Sequence, residues 1–298
     1  MRYSLVDLYA PFDTTFFPLP FTKASLRTGA LNGSTGLVYT PNSAWQFNLN
    51  LSTGFRAPNI DDVGKIFDSE PGAVIVPNPE LRPEYAWNLE LGIRRIISNR
   101  VILELTGFTT LLSDALVRRE YRLNGQDSIL YDGEMSRVLA IQNAARARVS
   151  GLQANLEVML PYGFGITSNF TFQNGWEELD EGGTAPLRHA VPWFGLTRLS
   201  YRYKRLIAEL NVVYQSAIAY EDLPPSEQAK PHLYARDANG NPYTPGWATF
   251  NLKALYRISD MLSLSAGIEN LADRRYRPFS SGISAPGING IIALRLDF

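Results

Sequence analysis

Trp45-Gln46-Phe47-Asn48-Leu49-Asn50-Leu51-Ser52 alternates apolar and polar residues without a fault. That period decides the fold. Side chains of an extended strand point to opposite faces in turn, so the segment has one oily face and one wet face. The same period recurs along the chain. Tyr85, Trp87, Leu89, Leu91 and Ile93 alternate with Glu84, Asn88, Glu90 and Arg94. Leu152, Ala154, Leu156, Val158 and Leu160 alternate with Gln153, Asn155 and Glu157. Phe164, Ile166, Phe170 and Phe172 do so with Thr167, Asn169, Thr171 and Gln173, and residues 206–215, 250–258 and 262–269 repeat the pattern. No segment carries a comparable helical stripe.

The strands are long, about 10 to 15 residues, where strands of soluble proteins average about 5 to 6. A tilted strand needs about 9 to 11 residues to cross a bilayer. The connections also alternate in length. Tight turns are expected at Pro41-Asn42-Ser43, Ser98-Asn99, Pro161-Tyr162-Gly163, Lys204-Arg205 and Ser259-Asp260, and long polar loops over residues 57–82, 121–140, 177–189, 220–245 and 272–286. Short turns at one end and long loops at the other are the plan of an outer-membrane barrel. The competing reading is a soluble β-sandwich or solenoid, but a sandwich turns every 8 to 12 residues or so without this asymmetry. Tyr39, Trp45, Phe55, Tyr85, Trp87, Tyr162, Trp193, Tyr201, Tyr203, Trp247 and Tyr256 fall near strand ends, where membrane girdles place amphipathic rings. The fold class is therefore all-β, an antiparallel transmembrane β-barrel plan with about 11 to 13 strands in this chain.

Composition narrows the function. The 298 residues are 45% apolar and 19% charged, which excludes disorder. Lys+Arg numbers 28 against Asp+Glu 29, so no basic excess points to nucleic acid. With no Cys, there are no disulfides, thiolate metal sites or Cys nucleophiles, and His189 and His232 are too few for a histidine cage. Mean hydropathy is -0.13 and no run approaches a spanning helix. The opening Met1-Arg2-Tyr3-Ser4-Leu5 stretch has no apolar leader core. The last strand, Asn289 to Phe298, sets Ile292, Leu294, Leu296 and Phe298 on one face and Arg295 and Asp297 on the other. A terminal Phe298 after apolar residues at every second position resembles the assembly signal of outer-membrane proteins.

Gly54-Phe55-Arg56-Ala57-Pro58-Asn59 is followed by Val76-Pro77-Asn78-Pro79-Glu80-Leu81-Arg82-Pro83-Glu84 and by Leu89-Glu90-Leu91-Gly92. Gln142-Asn143-Ala144 leads to Val149-Ser150-Gly151-Leu152-Gln153, and Glu269-Asn270-Leu271-Ala272-Asp273-Arg274-Arg275-Tyr276 precedes the end. These boxes, in this order, resemble those of the barrel of TonB-dependent outer-membrane receptors from about residue 30 to 298. Gln153 stands where that pattern usually has Glu. The resemblance implies a bacterial outer-membrane location and a plugged barrel of 22 strands. This chain would be its C-terminal part (1–298), with the N-terminal plug and first strands absent. Half a barrel would leave two open edges, so the chain alone is expected not to insert as a closed transporter.

The boxes also have a local physical reading. Pro58 ends the pairing of its strand, having no N–H to donate. Arg56 and Glu84 flank one loop and can pair across its base. Pro77, Pro79 and Pro83 stiffen the return into the next strand. Asn270 and Asp273 suit a turn held by side-chain-to-backbone bonds. Phe55, Arg56, Ala57, Pro58, Asn59, Asn78, Pro79, Leu81, Pro83, Glu84, Asn270, Leu271, Asp273 and Tyr276 are thus read as structural first. Arg outnumbers Lys, 23 to 5. Arg94, Arg198, Arg202, Arg257 and Arg295 lie on polar faces, where Glu84, Glu90, Glu104, Glu157, Glu209 and Glu269 can pair with them.

The resemblance implies active uptake of a scarce large nutrient, driven by a TonB-type inner-membrane energy-coupling complex acting through the plug. Membrane lipid and a small-molecule ligand are the other partners, and no cofactor is implied. The ligand-binding candidates are His232, Tyr234, Arg236 and Tyr243 in the loop from Tyr220 to Trp247, with Tyr276 and Arg277 beside the last strand. Aromatics with a guanidinium can grip a catecholate or planar chelate by stacking and charge. The paired boxes are most similar to the haem-receptor branch, whose members often carry a ligating His between them. Residues 59–77 have none, so an iron chelate of the ferric siderophore class is the first choice. Haem, cobalamin and a glycan are the alternatives within the family. A stand-alone porin or enzyme barrel of about 12 strands is the alternative outside it. An enzyme is not expected, because His189 has no adjacent Ser or Asp motif.

Overall fold

A computed structural model describes residues 1–15, 19–70, 72–143, 146–179, 183–188 and 190–297. Phe298, read as an assembly signal, His189 and Ala144 lie outside the described residues. In chain order the strands are β1 (Arg2–Pro11), β2 (Lys23–Asn32), β3 (Ser34–Asn42), β4 (Trp45–Arg56), β5 (Phe67–Glu70), β6 (Ala73–Val76), β7 (Glu84–Ile97), β8 (Val101–Ser113), β9 (Leu116–Glu120), β10 (Ser128–Tyr131), β11 (Glu134–Asn143), β12 (Arg146–Met159), β13 (Phe164–Glu178), β14 (Thr184–Pro186), β15 (Trp193–Tyr203), β16 (Leu206–Gln215), β17 (Ala235–Arg236), β18 (Pro242–Tyr243), β19 (Trp247–Arg257), β20 (Leu262–Glu269) and β21 (Asn289–Leu296). The helices are short: α1 (Ile60–Gly64) and α2 (Pro225–Gln228). No helix among the described residues is long and apolar enough to cross a membrane.

The wall is one 12-stranded sheet in the order β3-β4-β7-β8-β12-β13-β15-β16-β19-β20-β21, with short β14 alongside β13. Every pairing in it is antiparallel between chain neighbours of the wall. β1 pairs with β2, which runs through Gly33 into β3. Tight turns join one end. Ser98 and Asn99 both have positive φ, matching the right-handed twist of a hairpin. At the 161–163 turn Gly163 has φ +85°, and an added Cβ would lie 2.1 Å from the Arg202 carbonyl oxygen, so only glycine fits.

The register turns the alternation into two surfaces. Leu37, Leu49, Leu91, Gly107, Leu152, Phe172 and Trp193 form one continuous row across seven strands. The adjacent row on the other face holds Asn48, Gly92, Thr106, Gln153 and Thr171. The large apolar side chains are the exposed ones: Leu91 is 58% and Leu294 67% exposed, while Asn211 is 6%. That inversion suits an outside that meets lipid and an inside lined by polar groups. It also excludes a two-layer sandwich, in which the apolar rows would be buried.

Aromatics border this band at both levels. Near the short turns Trp45 stacks on Phe47 at 5.9 Å, Arg95 lies 4.3 Å over Trp45, and Phe164 meets Tyr201 at 4.6 Å. Near the long loops Tyr85 meets Trp87 at 5.5 Å and Trp193 meets Tyr214 at 6.2 Å. On the inner face Arg94 pairs with Glu104 at 2.9 Å, and Arg198 lies 3.5 Å from Glu209 and donates to Asn211 at 2.8 Å. Lys253 pairs with Glu269 at 3.0 Å. Arg295 pairs with Asp297 at 2.8 Å. Arg202 and Arg257 enter no ion pair among the described residues.

Candidate ligand-binding site

The long loops carry small cores of their own. The loop between β4 and β7 begins with α1, where the Asn59 side chain accepts from the Asp62 N–H and Asp62 accepts from the Asn59 N–H. Arg56 bridges Asp62 at 2.8 Å and Glu84 at 3.4 Å, closing the base of the loop. Glu84 also accepts the Leu116 N–H at 2.6 Å. Asn78 donates to the Ile141 carbonyl at 2.8 Å, and its Oδ1 accepts the Glu80 N–H at 3.1 Å. Leu81 and Val63 pack with Ala10 and Ala24. Pro58 and Pro77 are fully buried. Asn143 accepts from Arg82 N–H at 2.7 Å and donates to the carbonyls of Arg82 and Asp114. These box residues hold two loops together.

Between those loops β6 pairs in parallel with β11, and β5, β9 and β10 complete a five-stranded sheet. Val74, Val76, Val138 and Ala140 are buried there with Leu123 and Ile129. This small sheet is separate from the wall and is built from the segments that connect its strands.

A second group of contacts is built from the loops before β19 and before β21. Asn270, 4% exposed, takes φ +51° and organises the last loop. Its amide donates to the Arg274 carbonyl at 2.9 Å and the Pro286 carbonyl at 3.3 Å, and its Oδ1 accepts the Arg274 N–H. Asp273 accepts the Ile288 N–H at 2.9 Å. Leu271 N–H donates to the Phe250 carbonyl.

The loop from Tyr220 to Trp247 folds around Glu227, which is fully buried. Its carboxylate meets Arg188 at 2.7 Å and Lys230 at 3.3 Å and accepts the Tyr234 hydroxyl. Arg188 also donates to Ser280 at 2.8 Å, and Arg277 donates to the Leu233 carbonyl at 2.5 Å. Three loops are thus joined at one buried charge cluster. Burial, and then the Glu227 carboxylate beside it, hold the Tyr234 hydroxyl protonated well above the usual tyrosine range.

Against this cluster lies a cleft of about 350 Å³. His232, Tyr234, Tyr243, Tyr276 and Arg277 all line it, so two sequence segments come together in one site. Tyr276 packs on Trp247 with ring centroids 4.2 Å apart. Arg236 lies outside the lining and donates to the Gly240 carbonyl at 2.8 Å. Arg274 and Arg275 line the cleft and extend its positive charge. The Trp247 indole N–H and the Thr244 hydroxyl are buried there without a hydrogen-bond partner among the described residues. The wall is therefore aromatic, cationic and rich in donors, which suits an anionic, aromatic guest. Sequence reading missed Glu227 and Arg188, which support the site from behind. No group of His, Asp or Glu among the described residues could hold a metal ion.

Residues 2–271 match the family model described as TonB dependent receptor-like, beta-barrel. The chain is 26% identical over 274 residues to the probable hemoglobin and hemoglobin-haptoglobin-binding protein 4 of Haemophilus influenzae, covering 84% of this chain and 25% of that protein. It is 21% identical over 263 residues to the iron-regulated outer membrane virulence protein of Vibrio cholerae, covering 88% and 38%. Among solved structures, the ferric enterobactin receptor PfeA of Pseudomonas aeruginosa superposes with a TM-score of 0.69 at 18% identity, over 93% of this chain and 42% of that one. The copper transporter OprC gives 0.68 at 17% identity, over 94% and 41%. The chain thus spans less than half the length of these relatives.

Proposed function

The chain belongs to the TonB-dependent receptor family, of which it supplies outer-membrane barrel, and from that premise we propose that it is the C-terminal part of a receptor for active uptake of a ferric siderophore. The observation that supports this reading is the cleft of His232, Tyr234, Tyr243, Trp247, Tyr276 and Arg277, flanked by Arg274 and Arg275. Aromatic faces stack on a planar aryl ligand, and guanidinium groups answer the negative charge of a catecholate iron chelate. Thr244 and Trp247 offer buried donors to its oxygens. Transport would proceed through the family's energy coupling: ligand binds in the loops, and a TonB-type inner-membrane complex acts on a plug inside the polar lumen.

Haem is the second reading, favoured by the 26% identical relative, a probable hemoglobin and hemoglobin-haptoglobin-binding protein, and by His232 in the cleft. Two titrations of the complete receptor separate them. Ferric enterobactin quenches tryptophan emission with a saturable affinity that Tyr276→Ala and Arg274→Ala each weaken about tenfold. Haemin gives no Soret shift dependent on His232. A strong Soret shift lost in His232→Ala, with no response to the catecholate, overturns the siderophore reading.

A further inference from the structure

We propose that the lipid-facing surface of β4, β7, β8 and β12, at the level nearest the long loops, is a specific binding site for an anionic, phosphate-bearing lipid. The acyl chain lies in a groove and the phosphate sits on Arg148.

The register places the parts. Thr53, Trp87, Leu111, Arg148 and Trp176 form one row. The next outward row toward the short turns is Leu51, Leu89, Thr109 and Ser150. Both rows belong to the face that carries Leu91 and Phe172. They adjoin a groove of about 490 Å³ that runs from Met1 and the end of β2 across β3, β4, β7 and β8, with Leu31, Leu51, Trp87, Leu89, Thr109 and Leu111 in its lining. The lining is overwhelmingly apolar, which suits a hydrocarbon chain.

Arg148 stands beside that groove, next to two residues that line it. Leu111 is its register partner, and Thr109, which lines the groove, accepts from its Nε at 3.2 Å. Ser150 accepts from the same Nε at 2.8 Å, and the two hydroxyls bond each other at 2.8 Å. The guanidinium is therefore oriented by its inner nitrogen. Its two outer nitrogens have no partner, and the side chain enters no ion pair, among the described residues. An unpaired cation deep in hydrocarbon would be costly. Trp87 and Trp176 in the same row set it instead at headgroup level, where indoles concentrate and phosphates stand. A free guanidinium fork beside an oily groove matches a phosphate joined to an acyl chain, and the fork binds phosphate oxygens in bidentate fashion. Inorganic phosphate would engage the fork alone and leave the groove unused. The wall, on this reading, selects the lipid that surrounds it, independently of the ligand cleft.

The test uses the receptor purified from outer membranes in mild detergent, with lipid retention read by native mass spectrometry. The probes are diphosphoryl lipid A, its fully dephosphorylated counterpart, and inorganic phosphate as competitor. The wild-type receptor retains the diphosphoryl probe about tenfold better than the dephosphorylated one. Arg148→Gln removes that preference, and Ser150→Ala, which frees the guanidinium without removing charge, reduces it several-fold. Should Arg148→Gln fail to assemble, Ser150→Ala and Arg148→Lys carry the comparison. Retention of the probe by Arg148→Gln equal to wild type, or no discrimination between the two lipids, overturns the proposal. Displacement of the lipid by inorganic phosphate at equal phosphate concentration overturns it too, since the groove would then contribute nothing.

Discussion

Replacing Leu91 with arginine tests the lipid-facing surface directly. Leu91 is 58% exposed in a row whose partners are Leu49 and Gly107. Trp87 stands four residues nearer the long loops, and Arg95, stacked over Trp45, four residues nearer the short turns. Four strand residues span about 14 Å, and a tilt of about 40° reduces this to roughly 10 Å of depth. Leu91 therefore lies close to the middle of a hydrocarbon band about 25 Å tall, where an arginine costs about 2 to 4 kcal/mol. The matched control is Gln153→Arg, one register row away on the opposite face. Lumen water and nearby carboxylates receive that charge, so its cost stays within about 0.5 kcal/mol. The assay is denaturant unfolding of receptor reconstituted in vesicles, followed by tryptophan emission and by the heat-dependent gel shift of a folded barrel. Equal tolerance of the two substitutions, or a larger loss from Gln153→Arg, refutes the assignment of faces.

Glu84→Ala strands the Leu116 N–H and releases Arg56, costing about 1 to 3 kcal/mol, whereas Arg56→Ala removes a half-exposed partner and costs no more than about 1 kcal/mol; limited proteolysis of the 57–83 loop ranks them. Asn270→Ala leaves the Arg274 and Pro286 carbonyls and the Arg274 N–H without their side-chain partner, so amide exchange across 271–288 rises while that of β16 stays slow. Tyr234 is held protonated in the folded state above the pH, near 10, at which an exposed tyrosine ionises. Its contribution is fully present below that pH and is lost as pH rises toward the raised folded value, so protease sensitivity of the 220–247 loop increases in alkali, and Tyr234→Phe abolishes the dependence.

The wall was legible because each of its strands decides its faces locally. Lipid on one side and lumen on the other impose a strict period of two, and Trp45 to Ser52 displays it without any knowledge of the neighbours. The turns were legible for a related reason: Ser98-Asn99 and Pro161-Tyr162-Gly163 are marked by residues suited to positive φ, although the approach of the Arg202 carbonyl to Gly163 is not visible locally. The loops follow different rules. β6 pairs in parallel with β11 across about sixty residues of chain, and no local pattern in Ala73-Val74-Ile75-Val76 names that partner. Asn143 reads as a box residue in sequence, yet its contacts are to Arg82 and Asp114 in two other segments. Glu227 falls within the long polar loop 220–245 in sequence, and the Arg188 that permits its burial lies in another loop.

That difference bears on how the cleft can bind. Flexible loops would have to be ordered by the ligand, at a cost in entropy that reduces affinity. Here the ordering contacts are already in place: Glu227 joins its own loop to Arg188 and, through Arg188, to Ser280, and Arg277 ties the last loop to Leu233. Asn270 fixes that same loop to the end of β20. A buried ion cluster is weak as a source of net stability but strongly directional, because removing either partner leaves an unpaired charge. Its effect at this site is therefore on geometry: it holds Tyr234, Trp247 and Tyr276 around one cleft. His232, Arg274 and Arg275 remain exposed at its mouth and are the side chains free to adapt to a guest. On the proposed function, an aromatic floor held in place with exposed cationic rims would separate recognition of shape from recognition of charge, so substitutions behind the floor should loosen every ligand alike, and substitutions at the rim should discriminate among ligands by their charge.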